Sequence, residues 1–253
     1  MKTVIVTGSG GLIGRESVEF FLKKGFRVLG IDNNQRSYFF GEDGSTHSSI
    51  NELKSNSNYH HYNLDIRSYD DLEKLYKENR DRIDCIIHCA AQPSHDWAAK
   101  EPFTDFHINA TATLNLLELT RHYCKDAVFI FMSTNKVYGD NPNSLPFAET
   151  DSRYELPTDH LLYNGLDESF SIDQTKHSLF GCSKTSADVY VQEYGKYFGI
   201  KTTIFRGGCL TGSKHKGAEL HGFLNYLVKC NLEQRTYNLF GYKGKQVRDN
   251  IHS

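Results

Sequence analysis

Long apolar runs are missing from this 253-residue sequence. No stretch approaches the roughly 20 consecutive apolar residues that span a bilayer. No apolar signal segment precedes the first expected strand after Met1-Lys2, so a cytoplasmic chain without a membrane partner is expected. Charge of one sign is also scarce. The formal net charge is −2, which provides no global basic field for nucleic acid, and any anionic ligand has to be met by local cations. Internal repeats and low-complexity tracts are absent, which excludes repeat architectures. The six cysteines, at positions 85, 89, 124, 182, 209 and 230, include no C-x-x-C pair. The nearest approach to a metal cluster is Cys85-Ile86-Ile87-His88-Cys89, where the two-residue period of a strand puts Cys85 and Cys89 on one face and His88 on the other. Buried thiols and no metal site are the expectation.

What is present is concentrated at the start. Val4-Ile5-Val6-Thr7-Gly8-Ser9-Gly10-Gly11-Leu12-Ile13-Gly14 reads as a buried strand running into a glycine turn and then a helix, with Leu12, Phe20, Phe21 and Leu22 on its apolar face. The G-x-x-G-x-x-G spacing suits a diphosphate. Gly8 permits the tight turn, Gly11 lets the backbone approach a pyrophosphate, and Gly14 lets helix and strand pack closely. The opening N–H groups of the helix, at Leu12 and Ile13, add a partial positive charge. A second strand over 27–31 ends at Asp32, about twenty residues beyond the glycines and placed to accept hydrogen bonds from an adenosine ribose. Asp32 repels a 2′-phosphate and so favours NAD, while Arg36 is close enough in sequence to supply a counter-charge and leaves NADP open.

Residues 33–58 form a polar stretch too long for an ordinary connection and are expected to be a loop insertion at the surface. A short strand over 59–62 follows, with Asp65-Ile66 where an adenine edge would be met. Ser68 and Asp70 are candidate caps for a helix ending near Asn79. The strand over 83–89 delivers Ala90-Ala91-Gln92, small enough at its start for the backbone to lie against a cofactor. Pro102 opens a long helix through about Tyr123 that carries Asn109 near its core side. The strand over 128–132 delivers Ser133-Thr134-Asn135-Lys136-Val137-Tyr138-Gly139 at its C-terminal end, where ligands bind in open α/β sheets. Residues 141–178 are a second loop-rich insertion. A helix over 180–198 puts Phe180 and Lys184 on one face, a strand spans 202–206, and a further helix is expected from Leu220 to Asn231. The alternation predicts an α/β fold with a doubly wound parallel sheet, Rossmann-like, with helices on both faces.

Taken together, Thr7-Gly8-x-x-Gly11-x-x-Gly14, Asp32-Asn33, Asp65-Ile66, Ala90-Ala91, Asn109 with Thr113 to Glu118, Ser133 to Gly139, and Gly181 to Lys184 resemble the extended short-chain dehydrogenase/reductase family of sugar-nucleotide epimerases and dehydratases. The resemblance implies an NAD site built from Gly8, Gly11, Leu12, Ile13, Gly14, Asp32, Asn33, Arg36, Asp65, Ile66, Ala90, Ala91, Gln92, Asn109, Ser133 and Lys184. It also implies residues 1–206 as mainly NAD-binding and 207–253 as a partial nucleotide-sugar lobe of a chain that usually continues beyond Arg248-Asp249. A homo-oligomer is a further expectation. The related 4,6-dehydratases carry an Asp-Glu pair after the threonine; Asn135 and Lys136 stand there in this chain, which disfavours loss of water. The run Ser133 to Asp140 is most similar to the branch acting at C2 of CDP-sugars, so a CDP-sugar held by Thr134, Asn135, Lys136 and Arg248 is implied.

The chemistry accounts for the residue types. Removing hydride from a carbinol carbon requires loss of the hydroxyl proton, so the family sets a tyrosine beside a lysine that lowers the phenol pKa from about 10, with a Ser/Thr hydroxyl on the same substrate oxygen. By motif, Thr134 is that hydroxyl and Lys184 the lysine. Phe180 stands at the tyrosine position, with Tyr138 and Tyr163 as the tyrosines considered in its place. Three readings stay open: an NAD-dependent epimerase with another proton carrier, a catalytically silent NAD or nucleotide-sugar binding protein, and a 4-epimerase or reductase for another nucleotide sugar.

Overall fold

The computed structural model describes residues 1–219 and 221–253. Strand β1 (Thr3–Thr7) is buried at every position, as an apolar, β-branched run covered on both faces should be. Helix α1 (Leu12–Lys23) follows the glycine turn, and β2 (Arg27–Ile31) returns parallel to β1. The chain continues through α2 (Arg36–Phe40), α3 (His47–Leu53), β3 (Tyr59–Tyr62), α4 (Tyr69–Asn79), β4 (Ile83–His88) and α5 (His95–Lys100). Next come α6 (Pro102–Phe106), α7 (Ala112–Tyr123) and β5 (Val128–Thr134), then two-residue strands β6 (Ala148–Glu149) and β7 (Tyr154–Glu155), and the 21-residue helix α8 (Ser178–Phe198). Strand β8 (Lys201–Gly207) closes the main sheet, followed by β9 (Cys209–Thr211), α9 (Phe223–Leu232) and β10 (Asn250–His252).

Six strands form one parallel sheet in the order β3-β2-β1-β4-β5-β8. The order reverses between β1 and β4, and the crevice beyond the carboxyl ends of these two strands is where such sheets hold ligands. This is the doubly wound, Rossmann-like arrangement expected. Its larger core cluster joins Leu72, Leu75 and Tyr76 of α4, Leu116, Leu117 and Leu119 of α7, and Ala187 and Val191 of α8 to Ile5, Ile86, Phe129 and Phe131 of the strands. The opposite face is smaller: Val18 of α1 and Leu53 of α3 cover Val4, Val6, Val28, Cys85 and Ile87.

Helix α8 positions the chemistry. Its buried residues, Phe180, Gly181, Ser183, Lys184, Ala187, Asp188, Val191 and Tyr194, recur at helical spacing along one stripe, and Gly199 ends the helix at φ +71°, a left-handed cap that glycine adopts without a Cβ clash.

Four expectations change. Residues 33–58 are not a loop but hold α2 and α3, because Phe39, Ile50 and Leu53 find core partners that polar composition hides. The helix from Pro102 is interrupted by a π-turn over His107–Thr111, which puts Asn109 inward. Ser68 precedes α4, but its hydroxyl donates to Asp71 at 2.7 Å instead of capping a backbone N–H. Leu220, the expected start of the last helix, lies outside the described residues, and α9 begins at Phe223. Cys85, Cys124 and Cys230 are buried, whereas Cys89 and Cys209 are half-buried and Cys182 is exposed; all six are free thiols. Among the described residues no helix is long and apolar enough to cross a membrane, and no cluster of His, Cys, Asp or Glu has metal-ligand placement.

Candidate active site

The glycine turn is shaped by contacts that only glycine tolerates. Gly8 sits at φ +65°, and an added Cβ would lie 2.8 Å from the Ala90 nitrogen; at Gly14 it would lie 2.0 Å from the Gly8 carbonyl oxygen. Gly14 thus packs on the turn itself and not, as expected, on the strand. Gly11 differs. A Cβ there would meet nothing nearer than Gly8 O at 3.3 Å, so its missing side chain leaves open a cradle over the start of α1. No side chain caps α1 and no acid sits in its first turn, so the N–H groups of Leu12 and Ile13, without acceptors inside the helix, face that cradle. These features fit a dinucleotide diphosphate.

Asp32 ties the turn to its surroundings: its carboxylate accepts from Gly10 N (2.9 Å), Asn34 N (2.8 Å) and Thr46 Oγ1 (3.0 Å). The segment 33–58 therefore clasps the turn instead of waving beside it. Arg36, the possible counter-charge for a 2′-phosphate, is committed elsewhere. Its guanidinium donates to Lys216 O (2.8 Å) and contacts His221 Nδ1 (3.2 Å), stacks over Phe40 at 4.8 Å, and has its pKa pushed down to about 10 by burial, with Asp32 opposing. Asn33 is exposed and its Oδ1 accepts from Gln35 N. Asp65 is bound by the backbone and guanidinium of Arg67, and the Ile66 side chain belongs to the core.

Gln92 and Asn109 are consumed by the protein. Asn109 donates to Gln92 O, Asp105 Oδ1 and Ser183 Oγ, each at 3.0 Å, and accepts from Gln92 N at 2.9 Å; Gln92 Nε2 donates to Asp105 Oδ1 and Ser94 O at 2.8 Å. Both are fully buried, so they shape the loop carrying Ala90 and Ala91 over the sheet end. Their side chains were expected at the cofactor; a satisfied network holds them instead.

At the end of β5 the expected residues converge. Ser133 Oγ donates to Asp188 at 2.6 Å, and Asp188 holds Arg206 through both carboxylate oxygens. Burial works against the charge on Asp188, but Arg206, Ser133 and Gln192 outweigh it and lower the pKa. Thr134 Oγ1 accepts from Lys136 N at 3.2 Å, and its hydroxyl hydrogen has no acceptor among the described residues. Lys184, 3% exposed, donates from Nζ to Met132 O at 2.7 Å, two residues before Thr134, and lies 4.1 Å over the Phe131 ring. Burial pushes its pKa down to about 8 against the pull of Cys89, Asp188 and Asp105. A lysine with one backbone acceptor keeps two ammonium protons for a ligand. Cys89, its thiol pushed up to about 12 by burial, is no nucleophile here.

The tyrosine position is Phe180, 8% exposed. Tyr138 is not free to replace it, because its hydroxyl donates to Asp167 O at 3.3 Å and accepts from Arg206 at 3.1 Å; Tyr163 is partly exposed within the 141–178 region. Sequence reasoning missed His95. Its ring lies edge to face with Phe180, centroids 5.0 Å apart, and its Nδ1 is 2.8 Å from Ser178 Oγ. The signal was present in Ser94, which caps α5 by accepting from Trp97 N, and in Asp96 in that helix's first turn. A helix start there sets His95 against the start of α8.

Asn135 donates to Asp249 at 3.1 Å, joining β5 to the C-terminal segment, and Lys136, Arg248 and Asp249 all act electrostatically on Cys209. Arg248 is exposed and donates only to Val247 O among the described residues.

Residues 4–253 match the model of the NAD dependent epimerase/dehydratase family. The chain belongs to that family. A CDP-paratose 2-epimerase from Salmonella typhi is 32% identical over 99% of this chain and 71% of its own length, and a UDP-glucuronate 4-epimerase from Thermodesulfobacterium geofontis is 27% identical over 98% and 67%. Among solved structures, a UDP-glucuronic acid 4-epimerase from Bacillus cereus in complex with UDP-glucuronic acid and NAD superposes with a TM-score of 0.73 at 25% identity, covering 99% of this chain and 69% of that one. In this NAD-dependent member of the family the glycine turn follows β1, Asp32 follows β2 and Lys184 bonds the end of β5, on either side of the switch point between β1 and β4.

Proposed function

We propose that the protein epimerises a nucleotide sugar by transient oxidation and re-reduction, with a CDP-sugar as substrate and C2 as the reacting carbon. The observation that carries this reading is that Lys184, with spare ammonium protons, bonds Met132 O at the end of β5, two residues before Thr134 with its open hydroxyl hydrogen. Bound NAD supplies the hydride acceptor and returns the hydride, so no net redox occurs. The glycine turn holds its diphosphate, Asp32 its adenosine ribose, and Lys184 the nicotinamide ribose. Thr134 donates to the oxygen that becomes a carbonyl. Lys136 and Arg248, the cations around Cys209, take the diphosphate of the sugar nucleotide, a role suited to an exposed guanidinium. On this reading residues 1–206 serve the cofactor and 207–253 the sugar nucleotide. Asn135 and Lys136, where dehydratases carry acid and base, disfavour loss of water.

The alternative is a silent NAD and nucleotide-sugar binding protein, favoured by Phe180 alone. Incubation of the purified protein with NAD and CDP-paratose, followed by proton NMR of the sugar, separates the two. The expected outcome is conversion to the C2 epimer without accumulation of ketone. Binding without conversion would support the silent protein, and conversion only of UDP-sugars at C4 would move the substrate class.

A further inference from the structure

From the geometry around Phe180 we infer that His95 carries the proton that the family assigns to tyrosine: its Nε2 takes the hydroxyl proton of the sugar and gives it back. This rests on the epimerase reading above. Phe180 leaves a site with a hydride acceptor, a hydrogen-bonding threonine and a buried lysine, but with nothing at the tyrosine position able to accept a proton. The imidazole is packed on the edge of that same phenyl ring, 5.0 Å between centroids. His95 opens α5, beyond the end of β4, and meets the start of α8 from there.

The ring is held in one orientation. Ser178 Oγ lies 2.8 Å from Nδ1 and also accepts from Gly181 N at 3.2 Å. With the proton on Nδ1 donated to Ser178, the Nε2 lone pair is left without a partner among the described residues and is available as a base. Ser178 reaches this place with φ +64°, in the left-handed region that residues with a Cβ rarely adopt. A strained serine that both orients the imidazole and opens α8 is what a positioned proton carrier requires. The charged groups acting on His95 are Lys136, from the turn after β5, and Asp96, from α5 itself; from α8, Ser178 and Phe180 meet the ring. His95 is exposed as a residue, and partial desolvation of its ring together with Lys136 holds its pKa below the ordinary 6.5, with Asp96 opposing. The imidazole is therefore neutral, and a base, at pH 7.

The step balances. The carbinol C–H leaves as hydride with its electron pair to the dinucleotide, the O–H proton passes to Nε2 to give an imidazolium, and the O–H electron pair closes the carbonyl. Return of hydride to the opposite face of the ketone draws the same proton back, leaving His95 neutral.

Three proteins test this: the parent, His95→Gln and the double variant His95→Gln/Phe180→Tyr. Loss of a general base costs about 10²- to 10⁴-fold in turnover. His95→Gln is expected to lower kcat on CDP-paratose at least a hundredfold, to leave NAD affinity and Tm unchanged, and to abolish an acid limb of the kcat/KM profile that lies below pH 6.5. Phe180→Tyr in that background is expected to restore at least tenfold, since the phenol returns beside Lys184. A second readout needs neither cofactor nor turnover: nitrogen-15 NMR of the imidazole should show a neutral ring at pH 7 protonated on Nδ1. A His95→Gln protein within threefold of an active parent, or an Nε2-protonated ring, overturns the proposal alone. A parent that converts no nucleotide sugar overturns the epimerase reading and the proposal with it.

Discussion

The crevice side of the molecule and its C-terminal segment use the same chemical groups to different effect. At the end of β5, Arg206 and Asp188 form a two-point ion pair with Asp188 1% exposed, and Ser133 and Gln192 complete its hydrogen bonds. In the other region Lys243 and Lys245 both reach Glu149, on the surface. Apolar residues divide in the same way. Phe129 and Phe131 are fully buried, whereas Leu232 and Leu239 are 78% and 68% exposed. The sheet half is a finished core in which most buried polar groups have fixed partners, Thr3 Oγ1 and Tyr76 Oη apart. The C-terminal segment is bound by exposed pairs and by the short β9–β10 ladder, and Arg248 there donates only to Val247 O among the described residues.

The sharpest way to break this contrast is to remove an ion-pair partner in each half. Asp188→Ala strands Arg206 in a site where 14% of its side chain is exposed, and a buried charge left alone costs about 3–5 kcal/mol. Urea denaturation should show that loss, while Glu149→Gln, at a solvent-exposed pair, should leave the midpoint unmoved. Equal midpoints for the two variants would erase the distinction.

The second test uses pH. Lys184 titrates near 8 in the folded protein against an ordinary 10.5, so between these values the unfolded chain binds more protons and stability rises with pH. Relative to Lys184→Met, which has nothing to titrate there, the parent should gain as much as about 3 kcal/mol across pH 8 to 10.5. Parallel pH profiles of the two proteins would mean that Lys184 is not desolvated.

The third and smallest effect sharpens the comparison at a single methyl group. Gly14→Ala sets a Cβ against the Gly8 carbonyl and should cost about 1–3 kcal/mol by overpacking, with weaker NAD binding by calorimetry because the turn must shift. Leu232→Ala, in the exposed segment, should stay within about 0.5 kcal/mol.

Much of the cofactor half was legible because its signals are local. A β-branched run, three glycines three residues apart, a carboxylate at the end of the next strand, and Lys184 one turn after Phe180 are spacings along the chain, and backbone geometry turns each into a position. The sheet order follows from alternation and crossover handedness. The interruption inside 102–123 and the helices within 33–58 were not legible, since a π-turn and the burial of Phe39, Ile50 and Leu53 depend on what packs against them. The same holds for Gln92 and Asn109, whose amides fit a cofactor as well as they fit Asp105 and Ser183.

The sequence by itself determined the parallel α/β sheet, the dinucleotide turn, the place of Thr134 and Lys184, and the absence of a tyrosine at Phe180. Only the tertiary structure decided that Arg36 turns to Lys216 and His221, that Tyr138 is held by Arg206, and that His95 meets Phe180 across 84 intervening residues. The reason is physical: strand and helix periods bind near neighbours into fixed geometry, whereas a contact between the loop after β4 and the start of α8 exists only once the sheet has brought their ends together.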